Sequence, residues 1–141
     1  MLNPSTSSAS YIPASRSINW GTPPGIKDRF LGYFDPCPFP LPKFNGLDIP
    51  WPNKVFVNPP FSDLPSWAEK CSVEYKNGSS DIVLLMPSRT DTKYFHDFVL
   101  PFAEIEFIKG RLRFVDLDNS SPSPVAAPFP CILAHFGGKR D

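Results

Sequence analysis

The chain has 141 residues with 41% apolar side chains, which is enough for one modest core and one domain. Its 14 basic and 14 acidic residues cancel, and this excludes a protein that holds nucleic acid by bulk charge; any such binding falls to a local, salt-sensitive basic patch. No apolar run approaches the ~18 residues a membrane span needs, and the polar N-terminus lacks the apolar stretch of a secretory signal, so the expectation is a cytoplasmic protein with no membrane partner.

In chain order, residues 1–17 are Ser-rich and almost without core residues, and read as a disordered tail before a single domain over 18–141. Proline is abundant, with 19 residues concentrated in the first half. It removes a backbone donor and fixes φ, so that half reads as loops, turns and short extended pieces. Residues 18–24 are a turn-rich lead-in. Residues 25–32 predict a short helix with Ile26, Phe30 and Leu31 facing inward. KVFVN, 54–58, is the first clear strand, stopped by Pro59 and Pro60. Ser62 or Asp63 then caps a helix that starts near Leu64-Pro65 and runs to about Lys76, carrying Trp67, Ala68, Cys71, Val73 and Tyr75, with Asn77-Gly78 as its stop.

DIVLLM, 81–86, is nearly all apolar and predicts a strand buried on both faces. Asp91 is a candidate cap for a short helix over Lys93–Val99. Residues 104–108 alternate and predict a third strand, Arg111–Val115 a fourth, and 130–136 a last one after a Ser- and Pro-rich loop at 119–128. Strand, helix, strand, helix, strand is the pattern of an α/β parallel sheet, here of minimal size, with the closely spaced final strands forming an antiparallel C-terminal edge.

Cys37, Cys71 and Cys131 are odd in number and widely spaced, so they read as free thiols. His96 and His135 are far apart, and no metal-ligand spacing is visible, so no metal is expected. His96 reads as a helix residue, and Trp20, Trp51 and Trp67 read as core or lid residues.

The residues that carry chemistry are Asn58-Pro59-Pro60-Phe61, directly after the first clear strand, where ligand sites of open α/β sheets lie. An exocyclic aryl amine is a poor nucleophile because its lone pair is delocalised into the ring. Acceptors on its two hydrogens favour a more tetrahedral nitrogen. Asn58 offers its side-chain carbonyl, and a carbonyl of the Pro-Pro turn offers the second acceptor. Phe61 supplies a face on which an extruded base stacks, worth ~1–3 kcal/mol. The bland alternative is a strand-ending turn; the strand before it and the capped helix after it favour the functional reading.

These residues sit in a longer series. Trp20-Gly21-Thr22-Pro23, Phe34-Asp35-Pro36-Cys37, Gly46-Leu47-Asp48-Ile49-Pro50-Trp51, Val55–Ser62, Leu85–Thr92 with Phe95-His96, Gly110–Phe114 and Ala127–Pro130 follow in order along about 120 residues. In this the chain resembles the phage-type, Dam-like DNA N6-adenine methyltransferases. The resemblance implies a minimal Rossmann-like S-adenosylmethionine-dependent methyltransferase sheet with flanking helices, acting in host cytoplasm if phage-encoded. It implies that Asn58, Pro59, Pro60 and Phe61 hold a flipped adenine of DNA. It implies that Trp20, Thr22, Pro23, Asp35, Pro36, Leu47 and Asp48, with Asn58, line the S-adenosylmethionine pocket. On the substrate side it implies Ser62, Arg89, Asp91, Thr92, Lys109, Arg111 and Arg113. For Arg111 and Arg113, which alternate with Leu112 and Phe114, solvated positions on a half-exposed strand are the bland alternative.

The chain departs from a common methyltransferase pattern in Asp35-Pro36-Cys37-Pro38-Phe39-Pro40, where no glycine lets backbone approach the cofactor. Two alternatives stand beside DNA adenine methylation. The same turn serves methylation of glutamine side chains, of RNA adenines and of cytosine amino groups. A degenerate methyltransferase scaffold would bind nucleic acid or a protein without catalysis. A homodimer or a partner subunit would supply the surface that so small a chain lacks for a duplex site.

Overall fold

The computed structural model describes residues 20–38, 44–79, 81–116 and 125–137. The expected tail at 1–17 and residues 119–124 of the expected loop lie outside the described residues. Four strands form the main sheet: β2 (Lys54–Val57), β3 (Asp81–Pro87), β4 (Ala103–Phe107) and β7 (Cys131–Phe136). Helix α2 (Leu64–Lys76) joins β2 to β3, which are parallel with Val55 opposite Ile82. The sheet order is β2-β3-β7-β4, and β7 is antiparallel to both neighbours, with Leu85 opposite Leu133 and Ile105 opposite Ala134.

This corrects the expected antiparallel C-terminal edge. The last strand lies inside the sheet, and β4 takes the edge. The side chains explain it: all six residues of β7 are buried, whereas β4 alternates and carries Glu104 and Glu106. A strand buried on both faces needs a neighbour on both sides, and a charged one is suited to an edge.

A second, smaller sheet comprises β1 (Trp20–Gly21), β5 (Arg113–Asp116) and β6 (Val125–Ala126), in the order β1-β5-β6 and all antiparallel. The expected strand at 111–115 therefore starts two residues later and belongs to this sheet, and the expected lead-in at 18–24 contributes β1. Two-residue strands have no periodicity to read.

Side chains of the main sheet alternate between two cores, as the period of two requires. On one face Val55, Val57, Ile82, Leu84, Met86, Ile132 and Phe136 pack beneath α2 and the π-helical turn Phe95–Val99. On the other, Phe56, Val83, Leu85 and Leu133 meet Phe114, Ala127, Ile26 and Phe30. Each fully buried aliphatic side chain contributes about 1.5–3 kcal/mol. Phe30 stacks on Phe56 at 5.0 Å and 12°. It arrives on α1 (Pro24–Lys27) and the 3-10 turn Asp28–Phe30 that continues it. Leu31, expected to face inward, is 72% exposed, because the helix has ended and the backbone is extended there.

Helix α2 starts as expected, with Asp63 at the cap position and Pro65 in the first turn, although no cap bond forms from the Asp63 side chain. It stops at Asn77-Gly78, and Gly78 takes φ of 119°, open to glycine. Trp67, Ala68 and Cys71 are buried as expected, while Val73 is 40% exposed. At the next turn the cap is Thr92, not Asp91: the Thr92 hydroxyl accepts from Phe95 N at 3.3 Å and donates to Arg89 O at 2.8 Å. Cys37, Cys71 and Cys131 are free thiols, as expected.

Arg29 ties the 3-10 turn to the edge strand through a bidentate pair with Glu106, both bonds 2.8 Å. The Arg29 bond, ahead of a bond from His135, holds the Glu106 carboxyl down to about 2, from its ordinary 4.5. A depressed carboxylate contributes stability above its unfolded pKa and loses it as pH falls through the folded one. The side chains are 44% and 37% exposed, so the gain is small, about 0–1 kcal/mol. Glu106→Gln should therefore lower the thermal midpoint slightly at pH 7. The deficit should shrink between about pH 4.5 and 2, which thermal melts of both proteins across that range would check.

Candidate active site

Strands β2, β3 and β4 run the same way, so their carboxyl ends lie on one edge of the sheet together with the amino end of β7. The segments leaving that edge are Asn58–Phe61, Ser88–Thr92, Ile108–Leu112 and the turn before Cys131. Of the residues that the sequence nominates, they hold Asn58–Phe61, Arg89, Asp91, Thr92, Lys109 and Arg111.

Strand β2 ends because Pro59 and Pro60 have no N–H to continue a ladder. Asn58, half-buried at that end, donates from Nδ2 to Thr22 Oγ1 at 3.2 Å. This bond spends an amide hydrogen on Thr22 and leaves the acceptor chemistry of the side chain with Oδ1. Thr22 is in reach because β1, just before it, pairs with β5, Gly21 opposite Val115. Pro23 is buried and starts α1: its carbonyl accepts from Ile26 N at 3.0 Å and Lys27 N at 2.9 Å. Trp20 lies in β1, with its backbone opposite Asp116.

On the outer side of β2, Phe34 makes a one-residue parallel bridge to Val55. Phe34 N donates to Lys54 O at 2.9 Å, and Phe56 N to Phe34 O at 3.0 Å. The chain then carries Asp35 and Pro36 toward the same edge as Asn58. Asp35 Oδ1 accepts from Cys37 N at 2.8 Å. Asp35 keeps exposed surface, yet partial loss of water raises its carboxyl above the usual range, outweighing that bond and the charge of Lys27. Burial and the Asp35 charge push the Cys37 thiol up to about 11, so it stays protonated.

Pro36 is held by Gly46. A Cβ on Gly46 would lie 2.0 Å from the Pro36 carbonyl oxygen, so glycine alone allows this approach. Behind Gly46, its carbonyl accepts from Trp51 Nε1 at 2.9 Å, and Trp51 N donates to the buried Glu74 carboxylate at 2.9 Å. Leu47 packs on the first core, and Asp48 is exposed on the turn begun by Asn45. Trp51 and Trp67 are core residues, 7% and 5% exposed, with rings 6.4 Å apart.

Phe61 lies at the seam of the two cores. Its ring meets Phe114 at 5.8 Å and 89° and Phe129 at 5.7 Å and 71°, both edge-to-face arrangements. Pro59 is buried, while Pro60 and Ser62 are exposed. Arg89 lays its guanidinium over Phe129 at 5.7 Å. Arg111 reaches the Ala127 carbonyl at 3.4 Å. Lys109 and Arg113 are exposed, and Asp91 is exposed on its turn. His96 Nε2 lies 2.7 Å from the Thr90 carbonyl, which fits the helix residue expected.

The structure thus joins Asn58 to Thr22, Asp35 to Cys37, Pro36 to Gly46, and Arg89 and Arg111 to the turn beside Phe61. Sequence reasoning missed Gly46, Phe114 and Phe129 as parts of the site. Phe114 and Phe129 stand in the ordered series, in Gly110–Phe114 and Ala127–Pro130, but motif order alone gives neither of them a role. Among the described residues no group of three or more His, Cys, Asp or Glu is placed to hold a metal, and no helix is long and apolar enough to cross a membrane.

A family model described as DNA N-6-adenine-methyltransferase (Dam) matches residues 38–136. No curated protein and no solved structure matches the chain. The matched stretch contains Asn58–Phe61 and both arginines at the 127–130 turn. Thr22 and Asp35 precede it.

Gly46→Ala should cost about 1–3 kcal/mol, because a methyl group meets backbone and not a flexible side chain. Thermal or urea unfolding should place its midpoint well below that of the parent; an unchanged midpoint would mean that the Pro36 contact is not needed.

Proposed function

The chain belongs to the DNA N-6-adenine-methyltransferase (Dam) family, and we propose that it moves a methyl group from S-adenosylmethionine to N6 of an adenine turned out of the DNA stack. The observation that carries this reading is the end of β2. There an amide held by Thr22 is followed by two prolines and an aromatic ring fixed by two others. The mixed four-stranded sheet with its helices is compatible with a methyltransferase-like fold. We read it as a minimal Rossmann-like sheet in one domain over 18–141.

The chemistry of the donor set fits the methyl donor. Asp35, a carboxylate short of water, suits a hydroxyl or ammonium partner, and the Thr22 hydroxyl stands beside Asn58. Thr22, Pro23, Asp35, Pro36 and Leu47 would hold S-adenosylmethionine, with Trp20 and Asp48 at its margin. When bound, it supplies an electrophilic methyl group on a positively charged sulfur. Asn58 Oδ1 would accept one hydrogen of the adenine amino group, and a carbonyl of the Pro59-Pro60 turn the other. Both acceptors bring the nitrogen lone pair out of conjugation. Asn58 is neutral, so it orients and polarises. Phe61 would take the base face, which repays part of the cost of unstacking. Positioning supplies most of the rate.

Ser62, Arg89, Asp91, Thr92, Lys109, Arg111 and Arg113 stand on or beside the segments that leave this edge. We assign them to the DNA side, with the arginines and Lys109 on phosphate.

Purified protein, radiolabelled S-adenosylmethionine and unmethylated DNA should yield label in N6-methyladenosine after digestion to nucleosides. Asn58→Ala should lower kcat by about a hundredfold or more while the fold persists, a loss comparable to removing one preorganised polar contact from a reacting centre. Thr22→Val keeps the shape and removes the acceptor for Asn58 Nδ2. A bond of this kind is worth ~0.5–1.5 kcal/mol, so kcat should fall by about threefold to tenfold. Activity retained in Asn58→Ala would sink the assignment. Lack of any thermal shift with S-adenosylmethionine would leave the chain as a non-catalytic scaffold.

A further inference from the structure

The turn Ala127–Pro130 is fastened at both ends. Ala127 N donates to Leu112 O at 2.8 Å, and Ser88 N donates to Pro130 O at 2.9 Å. It thereby bridges the segment after β3 and the segment before β5, two of those that leave the site edge. What it presents is Phe129, half-buried, with Phe61 against it at 5.7 Å and the Arg89 guanidinium over its ring at 5.7 Å. An exposed arginine has many rotamers and pays entropy to hold any one of them. An aromatic face reduces that cost by binding the guanidinium in one plane.

We propose that Phe129 is a positioning residue for DNA: it holds the Phe61 ring from one side and presets Arg89 on the other, so that base stacking and phosphate contact are offered as one unit. This rests on the reading that Phe61 receives an extruded adenine. Its ring contacts are with Phe61 and Arg89, whereas Thr22 and Asp35 are the residues assigned to the methyl donor. The turn is built for the task, since its backbone bonds leave Phe129 little freedom to follow a displaced ring. Arg111, on the Ala127 carbonyl, places a second cation on the same turn.

The test compares Phe129→Leu, Phe129→Met, Arg89→Gln and the double variant Phe129→Leu/Arg89→Gln with the parent. Two quantities are measured: the dissociation constant for unmethylated DNA with S-adenosylhomocysteine present, and the KM values for DNA and for S-adenosylmethionine. Both Phe129 variants should weaken DNA binding and raise KM for DNA by about threefold to tenfold, the size of an aromatic and cation contact, with KM for S-adenosylmethionine unchanged. The double variant should lose less than the product of the single losses, because the two side chains act through each other. Phe129→Met preserves bulk without the ring, so a loss confined to Phe129→Leu would mark simple packing and overturn the proposal. So would unchanged DNA binding, fully multiplicative losses, or an equal rise in KM for S-adenosylmethionine. A parent protein that methylates DNA adenine while its Phe129 variants match it defeats this inference alone. A parent that methylates no DNA defeats the underlying reading, and this inference with it.

Discussion

Strand β3 has no exposed face: its residues from Ile82 to Pro87 are all buried, and both of its edges are hydrogen-bonded. Buried backbone must be paired and buried apolar surface must be covered, so this strand needs a partner on each side and a layer on each face. Strand β2 and β7 are the partners. Helix α2 and the Phe95–Val99 turn form one layer, and Phe30 with Phe114 contributes to the other. Placing β7 antiparallel beside β3 makes β4 run parallel to β3 once it pairs with β7. Three carboxyl ends and the amino end of β7 are thereby collected on one edge. The candidate site is a consequence of that single insertion.

What was legible in the sequence were the strands and helix long enough to carry a period. The expected 54–58, 64–76 and 81–86 match β2, α2 and β3 to within a residue. The Pro-Pro stop, the Asn-Gly stop and the free cysteines are local chemistry and could be read locally. The position of β7 is not legible in the order of elements, because the closeness of the final strands in sequence suggests an antiparallel edge. Its complete burial, visible in CILAHF, argued for the interior. Of the site, Asn58–Phe61 and Thr22 were nominated from motif and order. Gly46 is only a letter in a motif, since its role lies in the close packing of Pro36, ten positions away, against the space a Cβ would fill. Thr92 replaced Asp91 as cap through a one-residue difference that propensity does not resolve.

A chain with no net charge can still concentrate cations where they matter. Arg29 is paired with Glu106, and Lys70 with Glu74 and Lys93 with Asp97, the last two each four residues apart along a helix. Lys109, Arg111 and Arg113 lie within five residues on the segment from β4 to β5, and Arg89 faces the same turn that Arg111 reaches. Such clustering gives a field that decays within a Debye length, so affinity for a polyanion would depend strongly on salt and little on the molecule's total charge.

The small sheet links the two halves of the site. Strand β1 delivers Thr22 to Asn58, and β5, its partner, carries Phe114 to Phe61. Strand β6 completes the sheet and leads directly into the turn that presents Phe129. The amide and the ring that adjoin it are therefore positioned by the same few backbone hydrogen bonds, although Thr22 lies outside the family match and Phe114 inside it. Displacing any one of these three short strands would move the Asn58 partner and the Phe61 partners together. The two functions assigned to the motif, polarising an amine and stacking a base, are thus mechanically one. They depend on the element with the least signal in the sequence.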